Sequence, residues 1–119
     1  MEIYATRSSV AAGDDVFAPH AQTFAMPDGS PIEDVLAHIQ KEGYLAELAS
    51  GNACWSVASN VPIAVLAQKW TEAQIIFHFP NELEIVDGVL RLQFNYHGQI
   101  EPEVVQKILS DFRTKAIKA

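Results

Sequence analysis

The stretch LEIVDGVLRLQFNYHG, Leu83–Gly98, decides how this chain folds. Asp87-Gly88 stands between two β-rich runs. This dipeptide favours a type I′ turn, in which both central residues take positive φ. Beyond the turn, Leu90, Leu92, Phe94 and Tyr96 fall on one side of a strand, and Val89, Arg91, Gln93, Asn95 and His97 on the other. Successive side chains of a strand alternate between faces. The run therefore predicts an antiparallel hairpin with one dry face and one mostly polar face.

Working outward, SPIEDVLAHIQKEG (Ser30–Gly43) predicts a helix near 30–42. Ser30 suits the N-cap, Pro31 the first helical position, and Glu33 completes an S-x-x-E capping box. Ile32, Val35, Leu36 and Ile39 recur at i, i+3, i+4 and i+7, which makes one apolar stripe. His38 falls off the stripe and is expected in solvent, and Gly43 ends the helix. A second helix is predicted over 102–115, with Val104, Val105, Ile108, Leu109 and Phe112 as its apolar stripe. Lys115 and Lys118 stand near its C-terminal end, where the helix dipole favours cations. Leu92 and Phe94 are expected to share one core with Leu109 and Phe112.

EIYATR (Glu2–Arg7), QTFAM (Gln22–Met26), ACWSVAS (Ala53–Ser59) and QIIFHF (Gln74–Phe79) read as further strands. IAVLAQKW (Ile63–Trp70) fits either period. It is read as a strand because breakers bound it and strands surround it. The order is β-β-α-β-β-β-β-β-α. It predicts one α+β domain over residues 1–119, with a largely antiparallel sheet of about five to seven strands and two amphipathic helices on one face.

Composition narrows the function. A chain of 119 residues with 49% apolar residues can form a core. It has no run of about 20 apolar residues to span a bilayer. The first residues lack the pattern of a signal peptide, and one cysteine cannot form an internal disulfide, so a cytoplasmic location is expected. The net charge of −7 is uneven. Residues 1–50 hold eight acids against Arg7 and Lys41, or −6; residues 51–119 hold seven acids and six bases, or −1. No basic footprint points to direct nucleic-acid binding. An acidic surface suits a basic protein partner, and net charge also serves solubility.

Chemistry-bearing motifs are few. SVAAGDDVFAPHAQTF (Ser9–Phe24) sets Asp14 and Asp15 ahead of His20, but the spacing matches no metal template. No phosphate-binding glycine loop and no G-x-S-x-G elbow occurs. Cys54 lacks a reactive context and reads as a small buried hydrophobe. Arg91, Gln93, Asn95 and His97, joined by His78 if its strand is a neighbour, would line a polar sheet face. That face is a solvated surface or, in the alternative reading, the site of a small cytosolic enzyme or ligand-binding domain using His78 and His97. No catalytic residue, metal site or cofactor is assigned. Asp14, Asp15, Glu33 and Asp34 are the candidate partner-binding residues.

EIYATRSSVAAGDDVFAPH (2–20), ACWSVASNVPIAVLAQKW (53–70) and LRLQFNYHG (90–98) together make the chain resemble the immunity proteins of bacterial polymorphic toxin systems, closest to those of contact-dependent growth inhibition. The resemblance implies a non-enzymatic inhibitor that binds a cognate toxin domain, commonly a nuclease, and blocks it in the cytoplasm. A basic toxin would meet the acidic N-terminal half. Membranes have no part in this reading.

Overall fold

The computed structural model describes residues 1–10, 20–48, 50–76 and 83–118, with side chains through Phe112. Nine elements follow in the expected order: β1 (Glu2–Arg7), β2 (Gln22–Ala25), α1 (Ile32–Lys41), β3 (Cys54–Ser59), β4 (Val61–Ala67), β5 (Gln74–Ile75), β6 (Ile85–Val86), β7 (Val89–Tyr96) and α2 (Pro102–Lys118). The fold is α+β.

The Asp87-Gly88 hairpin forms as read. Asp87 has φ 52° and Gly88 φ 77°, the positive pair that a type I′ turn requires. Val86 then pairs with Val89 and Ile85 with Leu90. The rest of β7 organises the sheet, whose order is β2-β1-β7-β3-β4-β5, with β6 also on β7. One edge of β7 carries β1 in parallel, from Glu2 opposite Val89 to Arg7 opposite Phe94. The other edge carries β6 and then β3. The buried Ser59 hydroxyl joins these two end to end, accepting from the Glu84 backbone N–H at 2.7 Å. All other pairings are antiparallel, so the sheet is mixed.

Strand is the correct choice for the ambiguous run: β4 pairs with β3, Trp55 opposite Leu66 and Val57 opposite Ala64. The turn between β3 and β4 is a tight reversal, with Asn60 at φ 70° and Val61 already in β4. Of the predicted strand QIIFHF, Gln74 and Ile75 form β5. His78 and the rest of that run from residue 77 on lie outside the described residues.

The main core lies between α1 and one sheet face. Ile32, Val35, Leu36 and Ile39 meet Ile3, Ala5, Trp55, Val57, Leu90, Leu92 and Phe94, all buried. Tyr44, just after α1, packs edge-on against Phe94 and Phe24. His38 does not stand free in solvent. It is half-buried, its ring edge-on to Phe24.

The second helix corrects the expected layering. Val105 packs with Cys54 and Val65, and Trp70 and Leu109 adjoin them. Cys54 and Val65 belong to the sheet face opposite Trp55, Val57 and Leu66, because neighbours on a strand alternate. α1 and α2 therefore cover opposite faces, and Leu109 and Phe112 do not join the core of Leu92 and Phe94. The reason is local. Ile63–Ala67 is buried at every position, the pattern of a strand covered on both sides, whereas β7 alternates. Only the β3–β4 end needs a second cover, and α2 supplies it. The predicted apolar stripe of α2 is split as a result: Val105 is buried, while Val104, Ile108 and Phe112 stand exposed.

Candidate functional site

The burial of Ile32, Val35, Leu36 and Ile39 fixes the rotation of α1 and turns Glu33, Asp34, Ala37 and Gln40 away from the core. Opposite them runs the segment from β4 to β5. Together with Thr71, Glu72 and Ala73, these α1 residues line a groove of about 310 Å³. Three acidic residues, Glu33, Asp34 and Glu72, line this groove, and no basic residue lines it among the described residues. None of the three belongs to an ion pair among the described residues. Glu33 and Asp34 occupy the first turn of α1, where the helix dipole favours negative charge.

The expected capping box does not form. Pro31, extended at φ −61° and ψ 151°, is the N-cap, and no side chain caps the helix. Ser30 turns the other way: its hydroxyl donates to the Pro27 carbonyl at 2.6 Å, and its N–H donates to the same oxygen at 3.2 Å. The helix starts one residue later than the box demands. Glu33 is thus not held against the Ser30 backbone, and its carboxylate remains on the groove.

Asp14 and Asp15 lie outside the described residues. Ser9 Oγ lies 3.2 Å from His20 Nε2, and the Tyr44 hydroxyl donates to the His20 carbonyl at 2.6 Å. Ser9 and His20 are therefore held together beside Tyr44. The Arg7 guanidinium sits over the Tyr44 ring, 5.8 Å from its centroid. Burial pushes the Tyr44 phenol up to about 12, so it stays a neutral donor. Among the described residues no three His, Cys, Asp or Glu side chains converge as metal ligands would.

The polar sheet face also exists. A shallow depression of about 390 Å³ is lined by Tyr4, Thr6, Asn60, Glu84, Arg91 and Gln93, among others. Arg91 lies over the Tyr4 ring at 5.4 Å, and Thr6 donates to the Gln93 side-chain oxygen. His97 is not part of this depression. Its Nε2 meets the buried Ser56 hydroxyl at 2.7 Å, and burial holds its pKa below the ordinary value. No carboxylate bonds this imidazole among the described residues, so the pair lacks the group that would orient a general base. Cys54 is buried in the second cluster, and burial, aided by the Glu103 charge, pushes its thiol up to about 11. A thiol protonated at neutral pH is a poor nucleophile.

Glu72 is the site residue that sequence reading missed. Its signal was weak, because a lone acid between two strands gains meaning only when the fold sets it opposite α1. A comparison with protein-family models, curated proteins and solved structures finds no match for this chain. No helix among the described residues is long and apolar enough to cross a membrane.

Proposed function

We propose that the chain is an immunity protein that captures and neutralises a basic toxin domain, a nuclease by preference, in the cytoplasm. The observation that carries this reading is the groove of Glu33, Asp34 and Glu72, three carboxylates without a cationic partner among the described residues. A nuclease must present cations to a polyanionic backbone, and an acidic groove competes for those cations. Pairs on the rim of the interface raise the association rate, and pairs that lose water on docking slow dissociation. Asp14 and Asp15, outside the described residues, would add to the negative charge of the N-terminal half. No cofactor and no contact with nucleic acid is required.

The test uses the toxin domain encoded by the neighbouring reading frame. Glu33→Gln, Asp34→Asn and Glu72→Gln combined are expected to leave the melting temperature within a few degrees of wild type. Affinity should fall about tenfold or more, equivalent to about 1.4 kcal/mol, and the remaining binding should depend less on salt. Asp14→Asn with Asp15→Asn is expected to act in the same direction. Unchanged affinity and unchanged salt dependence in the triple variant would sink the groove as the contact surface.

A second reading rests on the depression over β1 and β7, where Arg91 stacked on Tyr4 offers a cation on an aromatic floor. In that reading the protein holds a small anionic ligand there, and Arg91→Ala abolishes its binding while the acidic triple variant does not.

A further inference from the structure

Six large apolar side chains stand exposed among the described residues, and three of them form one line along α2. Val104, Ile108 and Phe112 are 48, 61 and 58% exposed and follow one another at intervals of four. Residues at i, i+4 and i+8 build a continuous ridge on a helix, the kind that packs into the groove of a second helix. The sheet uses the neighbouring stripe of Val105 and Leu109, so this ridge has no partner among the described residues.

We propose that the ridge joins two copies of this chain through an antiparallel pairing of their α2 helices, with the twofold axis at Ile108. The pattern is symmetric about that residue. Val104 and Phe112 lie four positions to either side, so each Val104 meets the partner copy's Phe112 and Ile108 meets itself. Glu101 and Lys115 lie seven positions to either side, so an acid in one copy takes the register position of a base in the other. More broadly, acids stand just before α2 and in its first turn (Glu101, Glu103), and the sequence of its last turns is basic (Arg113, Lys115, Lys118). A parallel pair would set like charges together, whereas an antiparallel pair sets opposite charges together.

The charges beside the ridge are compatible with this contact. Lys107 and Asp111 neutralise each other at 3.2 Å along the helix, so docking strands neither. Glu101 already accepts from Lys69 at 2.9 Å, and a carboxylate has capacity for a second ammonium group. A twofold contact of one surface with itself is the commonest form of oligomer. α1 lies on the other face of the sheet, so the dimer leaves both acidic grooves open. The ridge is small beside the roughly 20–30 residues per side of a standard interface, and the dimer is expected to dissociate on dilution.

Sedimentation of the intact chain from about 1 to 200 μM, the range in which a small interface dissociates, should show the mass rising towards twice that of one chain. Ile108→Asp should remain monomeric across the range with an unchanged circular dichroism spectrum. Lys115→Glu should shift the midpoint to at least tenfold higher concentration, and pairing it with Glu101→Lys should restore it. Orientation is read by cysteine pairing in a Cys54→Ser background. A mixture of Val104→Cys and Phe112→Cys chains should cross-link to each other on mild oxidation, and neither to itself. A wild-type chain monomeric at the highest concentration would overturn the proposal. Self-linking of Val104→Cys would overturn the antiparallel arrangement.

Discussion

His97 shows how burial at one side chain becomes a property of the protein. Its imidazole is half-buried against Ser56, and that burial lowers its folded pKa below the ordinary 6.5. The neutral ring is the form the fold favours. The unfolded chain therefore binds the proton more readily, and this contribution to stability is present above about pH 6.5 and is lost as pH falls towards the folded value. Urea midpoints of wild type and His97→Gln, compared at pH 7 and pH 5, should show a larger loss on acidification in the wild type. Parallel losses would mean that this ring does not carry the pH dependence. Sequence alone placed His97 on the polar side of its strand but gave no sign of Ser56. The two meet because β3 and β7 pair with Ser56 opposite Asn95, and that register arises only in the assembled sheet.

At the level of elements, β7 is the strand whose sides differ most. Leu92 and Phe94 are 2 and 0% exposed, and Gln93 between them is exposed. Truncating either buried side chain to Ala should cost about 2–5 kcal/mol. Gln93→Ala loses only its surface bonds and should cost under about 1 kcal/mol. Equal melting temperatures for the three variants would overturn the face assignment. These faces were legible because alternation is a local signal, as was the apolar stripe of α1. The position of α2 was not legible. Its five apolar residues spread too widely for one contact, and their periodicity cannot say which of them the sheet takes. The unbroken burial of Ile63–Ala67 carried the missing information, since an apolar run without alternation asks for cover on both sides. The capping box failed for a similar reason: two compatible local patterns competed, and the extended Pro31 with the Pro27 turn won.

For the whole molecule, the candidate groove was half legible. Glu33 and Asp34 could be read from the sequence, while Glu72 needed the fold to bring the β4–β5 segment against α1. Charge asymmetry pointed to the acidic half but could not draw its outline. The parallel pairing of β1 with β7 has a separate consequence, in time rather than in space. β3 and β4 meet across a reversal at Asn60 and can zip locally, but β1 must wait for a strand from the far end of the sequence. Closing so long a loop costs entropy before any contact repays it. The β3–β4 pair should therefore be organised early and β1 late. In stopped-flow chevrons, Ile63→Ala should mainly slow folding, whereas Ile3→Ala should mainly speed unfolding; the reverse pattern would refute this order. During synthesis β1 is made well before β7, and it spends that interval with the groups that will bond β7 still open to water or to another chain.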